Sequence, residues 1–321
     1  MQAPIWHFSD GTPLPSLGLG TFGSDHADPD LVAQAVYTAI GQGYRMIDCA
    51  ACYGNEPQVG RAIARALADF GLRREDLFIT GKLWNDQHDH VAQALGKSLD
   101  DLGLTYLDLY LVHWPFPNYH APFAAPDARN PDSRPYSHEA FMACWRQMEA
   151  EVDAGRARHI GTSNMTLSKL TGLLDDCRIA PAANEMELHP HFQQPELFAF
   201  CKSRGVLPIG FCPIGSPHRP ERDRSPSDTD PLRDPVIRQI AQAHSTHAVA
   251  VCLKWAHQRG QIPIPFSTNP AHIADNLASV CADPLTPAEM EAIAGIDRNC
   301  RLIKGQVFLW PGAESWEDLW Q

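Results

Sequence analysis

The chain has 321 residues, 44% hydrophobic and 20% charged, the composition of a globular protein with a sizeable core. A formal net charge of −12 argues against nucleic acid as a main partner, and no apolar run is long enough to span a bilayer. The start of the chain lacks a basic stretch followed by an apolar one, so no secretory leader is visible. The nine scattered cysteines, among them Cys49, Cys144, Cys212 and Cys252 inside apolar patterns, read as reduced, buried thiols of a cytoplasmic protein.

Ile5–Phe8 and Thr12–Pro15 flank Ser9-Asp10-Gly11 and read as a hairpin. Strand and helix patterns then alternate. Ser16–Gly20 is a short strand, and Pro29–Gln42 an amphipathic helix with proline at its start. Strand Met46–Ala50 precedes helix Glu56–Asp69, and strand Leu77–Trp84 precedes helix Asp89–Leu102. Strand Leu107–Trp114 precedes helix His138–Ala154, strand Arg158–Asn164 precedes helix Thr166–Asp176, and strand Ala183–His189 precedes helix Pro195–Arg204. Strand Val206–Ile214 leads to helices over Pro235–His244 and Ala248–Arg259. Strand Ile262–Ser267 is the last, with helical patterns over Ile273–Val280 and Pro287–Ile296.

Short, mostly apolar strands suit a sheet buried on both faces. Eight such units without a composition break predict one (β/α)8-barrel domain over residues 1–321, with an N-terminal hairpin. Phe116–Ser137, Ser216–Asp234 and Asn299–Gln321 exceed ordinary loop length. The first two follow strands, which puts them at the C-terminal face, where barrel active sites lie.

The candidate chemistry lies at that face. Asp48, Lys82 and His113 fall at or near strand ends, and Tyr53 follows in the turn after Asp48. Buried charges are costly unless paired, and these residues are placed to pair. A phenol has a free pKa of about 10, and a neighbouring ammonium lowers it. A carboxylate can keep that ammonium charged, leaving a tyrosine able to exchange a proton with an oxygen atom. Ser163, Asn164, Glu185 and Phe211 mark the ends of other strands, and Phe22, Trp84, Trp114 and Phe116 offer an apolar pocket beside the polar set.

Two other patterns are weaker. Gly18-Leu19-Gly20-Thr21-Phe22-Gly23 has the glycine spacing of a dinucleotide fingerprint, but Ser24 to Asp28 intervene before the helix opens. Glu185, Glu187 and His189 would share one strand face and could hold a metal. A metal-dependent barrel hydrolase would need more histidines and carboxylates at other strand ends, so no metal is expected.

The stretches GLGTF, GYRMIDCAACYGNEPQVG, GKLW, DLYLVHWP, GTSN, NEMELHP, CPIGSP and IPIPFSTNPAHIADN resemble the aldo-keto reductases over nearly the whole chain. The resemblance implies a (β/α)8 barrel that takes a nicotinamide cofactor. It implies Tyr53 as acid/base, Lys82 paired with Asp48 to depress its pKa, and His113 to orient a carbonyl. It implies Ser163, Asn164 and Glu185 at the carboxamide, and Phe211 stacked on the nicotinamide. Thr21, Phe22, Asp48, Ile214 and Ser216 belong to the same cofactor set. Phe22, Cys52, Trp84 and Trp114 would line the substrate pocket. Glu185 stands where the family usually has glutamine. Phe266, Ser267, His272, Asp275 and Asn276 occupy the run where relatives that demand NADPH usually have a lysine and an arginine. That run predicts NADH used at least as well as NADPH.

The expected activity is reduction of an aldehyde or ketone to an alcohol, or the reverse, by a monomer, with an aldose or small aldehyde as first guess. The rival reading is a non-catalytic nicotinamide-binding barrel acting as a sensor or regulatory subunit.

Overall fold

Prolines and short polar caps set where the helices begin. Asp28 caps α1 (Pro29–Gln42) by accepting from the Leu31 N–H, and Gly43 ends it at φ +112°, a conformation that favours glycine. The same logic starts α7 (Pro235–Ala243) at Asp234 and α10 (Pro287–Ala294) at Thr286. The remaining helices are α2 (Glu56–Phe70), α3 (Val91–Leu102), α4 (His138–Asp153), α5 (Leu167–Asp176), α6 (Pro195–Ser203), α8 (Ala248–Arg259) and α9 (Pro270–Cys281). The structure is a computed structural model, and it describes residues 1–23, 26–117, 132–217, 219 and 224–321.

Strands β1 (Ile5–His7) and β2 (Pro13–Pro15) form an antiparallel hairpin. The other eight are β3 (Leu19–Gly20), β4 (Met46–Asp48), β5 (Phe78–Leu83), β6 (Leu107–Val112), β7 (Ala157–Ser163), β8 (Ala183–Glu187), β9 (Leu207–Phe211) and β10 (Ile262–Pro263). They pair in parallel, each with its sequence neighbour. The ring closes where Gly18 N–H donates to Pro263 O and Gly20 N–H to Pro265 O, both at 3.1 Å. A Cβ on Gly18 would lie 2.8 Å from Ile264 Cγ2, and one on Gly20 3.2 Å from Ile264 O. The first two glycines of the fingerprint-like run therefore serve barrel closure. The fold is the expected (β/α)8 barrel.

The barrel interior is filled by Met46, Leu109, Leu111, Ile209 and Ile262, and the hairpin brings Phe8 and Leu14 against them. Asp10 and His159 join hairpin to barrel at 2.9 Å. A larger apolar cluster lies between strands and helices. No helix among the described residues is long and apolar enough to cross a membrane.

Several boundaries differ from expectation for local reasons. The predicted strand Ile262–Ser267 keeps regular strand form only over Ile262–Pro263; Pro263 and Pro265 have no N–H to donate, although the Ile264 N–H still donates to Gly210 O and Pro265 O still accepts from Gly20. Helix α9 starts three residues before the expected Ile273, at Pro270, because Asn269 caps it. Cys49, Cys144 and Cys252 are buried as expected, but Cys212 is only half-buried. Most of the predicted long loop Phe116–Ser137, part of Ser216–Asp234, and Ser24 with Asp25 lie outside the described residues.

Helices α2 and α3 pack tightly at Gly60, where a Cβ would sit 2.6 Å from Leu102 O and 2.7 Å from Asp101 O. Alanine gains about 1 kcal/mol over glycine in a helix, but here it meets backbone that cannot turn aside. Gly60→Ala is expected to destabilise the fold by about 1–3 kcal/mol, the usual cost of overpacking. The urea-unfolding midpoint measures it, and an unchanged or raised midpoint would contradict the close packing.

Candidate active site

The site is built outward from Lys82, which β5 carries into the barrel mouth. The side chain has no exposure, and its Nζ lies 2.5 Å from Asp48 Oδ2 and 3.4 Å from Glu185 Oε1. It also donates to Cys49 O at 3.3 Å. Asp48 is the last residue of β4 and is braced from behind. The Thr21 hydroxyl donates to Asp48 O at 2.7 Å, and Asn55 Nδ2 donates to Thr21 O at 2.8 Å. Thr21 is fully buried, and its side chain braces Asp48.

Tyr53 ends a single 3-10 turn, Ala51–Tyr53, which Gly54 closes at φ +66°. Its ring lies 5.4 Å from Lys82 Nζ, 5.0 Å from the Phe22 ring and 5.8 Å, edge-on, from His113. His113 follows β6 and is anchored by its backbone. Its N–H donates to Leu83 O at 3.1 Å, and its carbonyl accepts from Asn164 Nδ2 at 3.0 Å. Trp84 faces its ring at 5.1 Å, and Cys52 Sγ lies 3.6 Å from its Nδ1. The four residues singled out in the sequence thus meet at one mouth.

Burial and charge oppose each other here. Burial alone would strip Lys82 of its proton, but Asp48, Glu185 and Tyr53 reverse that and hold its pKa well above the ordinary value. Burial, aided by Lys82, pushes the His113 pKa well below its ordinary value, so the imidazole is neutral near pH 7. The phenol of Tyr53 departs from the sequence expectation. Desolvation in the crowded mouth raises its pKa, Lys82 lowers it, and Asp48 and Glu185 raise it again. The lysine pulls as expected, but the net shift is upward, and Tyr53 stands protonated.

Beside this set, Ser163 ends β7, and Asn164 follows at φ +59°. Asn164 Nδ2 also donates to Ser163 Oγ at 3.1 Å, and Asn164 N–H to Glu185 O at 2.9 Å. Asn164 Oδ1 and Glu185 Oε2 are buried acceptors without a partner. Phe211 ends β9 half-buried, with Ile214 and Ser216 in the loop beyond it. The Ser216 carbonyl accepts from Arg219 Nη1 at 2.9 Å. Further along the mouth, half-buried Phe266 and Ser267 lead into α9, where His272 and Asp275 are exposed and Asn276 is buried. Ser267 Oγ already accepts from the Asn269 N–H. Arg259, at the end of α8, is bound to Gln193 O and stacked on Phe198 and Trp255.

Of the expected pocket residues, Phe22 is 56% exposed, Cys52 is exposed and Trp84 half-buried. Trp114 is largely covered, packed against Phe116, Phe308 and Trp320. Phe308 also meets Trp84 at 5.7 Å. Phe308 and Trp320 belong to the C-terminal segment and were not singled out in the sequence, where nothing marks which tryptophan they cover.

Comparison with known proteins agrees with this geometry. The model of the aldo/keto reductase family matches residues 16–298. The chain is 42% identical over 320 residues to an aldo/keto reductase of Synechocystis, spanning 97% of this chain and 94% of that protein. The chain belongs to the aldo/keto reductase family. It is 38% identical to aldo-keto reductase family 1 member A1-A of Danio rerio over 314 residues, 97% of this chain and 94% of that one. The crystal structure of a Bombyx mori aldo-keto reductase in complex with NADP superposes with a TM-score of 0.83 at 36% identity, covering 94% of this chain and 95% of that one.

In this aldo/keto reductase the suspected metal-ligand run has other work. Glu187 is fully buried, accepts from His189 Nε2 at 2.9 Å, and accepts from the backbone N–H groups of Leu302 at 2.8 Å and Ile303 at 2.9 Å. It thereby pins the C-terminal segment that brings Phe308 over the mouth. Burial raises the Glu187 pKa, but the bond to His189, the charges of His189 and Arg301 and the backbone donors together lower it below the ordinary 4.5. The latch is therefore complete above that value and lost as pH falls through the depressed one. Glu187→Gln keeps the shape but replaces one acceptor with a donor. The Leu302 and Ile303 amides are expected to exchange hydrogen about tenfold faster in that variant, the worth of one hydrogen bond to a charged group. Equal protection in both proteins would contradict the latch.

Proposed function

We propose that the protein is a nicotinamide-dependent carbonyl reductase in which Tyr53 is the proton donor. The observation that carries this reading is the enclosed Asp48–Lys82 pair with the Tyr53 ring 5.4 Å from Lys82 Nζ and the His113 ring 5.8 Å beyond it. The residues present fit the cofactor's carboxamide. Unpartnered Asn164 Oδ1 and Glu185 Oε2 can accept from its NH2, and the Ser163 hydroxyl can donate to its oxygen. Phe211 is the aromatic surface for the ring. When bound, the reduced cofactor supplies hydride to the carbonyl carbon.

The chain's own part is proton transfer and charge placement. Tyr53 O–H gives its proton to the carbonyl oxygen, and Lys82, 5.4 Å from its ring, stabilises the phenolate left behind. A neutral imidazole donates from one nitrogen only. We take the Cys52 thiol, 3.6 Å from Nδ1 of His113, as the donor of that contact, which leaves Nε2–H to polarise the carbonyl. Phe22, Trp84 and Phe308 supply apolar walls and exclude water. The walls suit a small polar or aromatic carbonyl, with aldoses and short aldehydes first. A cytoplasmic monomer without a nucleic-acid partner completes the reading.

The cofactor preference follows from charge. A 2′-phosphate is best held by fixed cations, arginine above all. The run Phe266–Asn276 contains no lysine or arginine, Arg259 is engaged elsewhere, and exposed Asp275 favours a ribose hydroxyl over a phosphate. The relative from Bombyx mori has NADP bound. In the present chain, NADH is used at least as well as NADPH.

Tyr53→Phe is expected to lose turnover by roughly 10²–10⁴-fold, the share of general acid catalysis, while reduced dinucleotide still quenches protein fluorescence. Turnover close to wild type would remove Tyr53 from the mechanism.

A steady-state panel of aldoses, short aldehydes and bulky ketones with both cofactors tests specificity. kcat/KM with NADH is expected to equal or exceed that with NADPH, and aldoses or short aldehydes to exceed polycyclic ketones. A preference for NADPH above about tenfold, roughly 1.4 kcal/mol, would overturn the cofactor assignment. A polycyclic ketone as best substrate would overturn the pocket assignment.

A further inference from the structure

Among the described residues, the mouth holds one more carboxyl than it has cations to match. Lys82 Nζ faces Asp48 Oδ2 at 2.5 Å and Glu185 Oε1 at 3.4 Å, and all three residues are at most 2% exposed. The neighbours of Glu185 in the sheet, Ser163 on β7 and Ile209 on β9, carry no charge. The titratable groups facing it are Asp48, Lys82, Tyr53 and Cys212. With both carboxyls ionised this enclosed trio would be net negative, which burial opposes. Asp48 Oδ1 and Glu185 Oε2 are both buried without a partner, and the two side chains lie within hydrogen-bonding reach of each other. One proton on Glu185 Oε2, donated to Asp48 Oδ1, gives that oxygen its partner and leaves a lone pair on Oε2 to accept from the carboxamide. Asp48, in closer contact with the ammonium, keeps the negative charge, and Glu185 keeps the proton. Burial and then the charge of Asp48 push the Glu185 pKa up to about 8, in the same direction.

We propose that Glu185 is a proton-binding residue that responds to the oxidation state of the cofactor. It stays a carboxylic acid beside the neutral reduced nicotinamide and releases its proton when the cationic oxidised ring is bound. The inference rests on the functional reading above, in which Glu185 meets the carboxamide. The proton passes from Glu185 to solvent, no electron moves at the residue, and the carboxylate left behind faces the ring's positive charge. A glutamine in the same place has no proton to release. Low pH then favours the reduced cofactor on the protein, and high pH the oxidised one.

The test compares the dissociation constants of the oxidised and reduced forms of one cofactor from about pH 6 to about pH 9, which brackets the raised value. Their ratio cancels any titration of the cofactor's phosphates. An opposite charge within about 4–6 Å moves a carboxyl by one to three pKa units, so the ratio is expected to shift toward the oxidised form by about tenfold or more. Calorimetry in two buffers of different ionisation enthalpy is expected to show proton release on binding the oxidised form near neutral pH. In Glu185→Gln the pH dependence of the ratio and the proton release are both expected to vanish, whatever the change in the two dissociation constants themselves. A wild-type ratio flat with pH, or the same slope in Glu185→Gln, would overturn the inference while leaving the carbonyl reductase reading intact. Failure of either form to bind the wild type would overturn that reading, and this inference with it.

Discussion

An ammonium without solvent contact sets the terms for the barrel mouth. Lys82 cannot remain charged inside the protein unless carboxyl groups reach it, and these must come from other strands. Asp48 arrives from β4, next to β5 in the sheet, and Glu185 from β8, across the barrel. A parallel barrel brings the C-terminal ends of its strands together, so residues far apart in sequence converge without special loop geometry. The Thr21–Asn55 brace then fixes Asp48 from outside, so the pair is held on both sides. The phenol and imidazole sit in the field this arrangement creates. Their pKa values move in opposite directions for one reason: a crowded, poorly solvated mouth favours the neutral form of each.

Much of this was legible in the sequence, for identifiable reasons. Strand and helix alternate with prolines and polar caps at nearly every boundary, and such punctuation is local information. The convergence of Asp48, Lys82 and His113 was legible because buried charged or polar residues near the ends of apolar strands must find partners there. Failures came where the deciding contact was distant or the balance was close. Nothing near Glu187 indicates that its oxygens receive N–H groups from Leu302 and Ile303, more than a hundred residues away. Nothing near Thr21 shows that its hydroxyl is taken by Asp48. The direction of the Tyr53 shift could not be read from the lysine alone, because desolvation outweighs it. The shortened β10 was readable, since two alternate prolines cannot serve a full ladder.

The C-terminal segment shows how architecture and chemistry share one strand. Phe308 and Trp320 reach the mouth because the chain beyond α10 is fastened at Leu302 and Ile303, and Arg301 stacks 3.3 Å over the Trp320 ring. The covering of Trp114 and the wall offered by Trp84 thus depend on a carboxylate that touches neither of them.

Glu185 and Glu187 make the contrast sharpest. They lie two residues apart on β8, so strand geometry turns both to the same face, and both are buried. Their pKa values nevertheless move in opposite directions, up for Glu185 and down for Glu187. Glu187 has two backbone N–H groups and a histidine to itself, so its charge is answered by fixed donors. Glu185 shares a single ammonium with a carboxylate that holds it more closely. Burial acts on both, and the supply of donors decides the sign. A latch needs the first environment, in which the charged form persists across the working pH range. A group that exchanges a proton with its surroundings needs the second, in which neither form is strongly preferred.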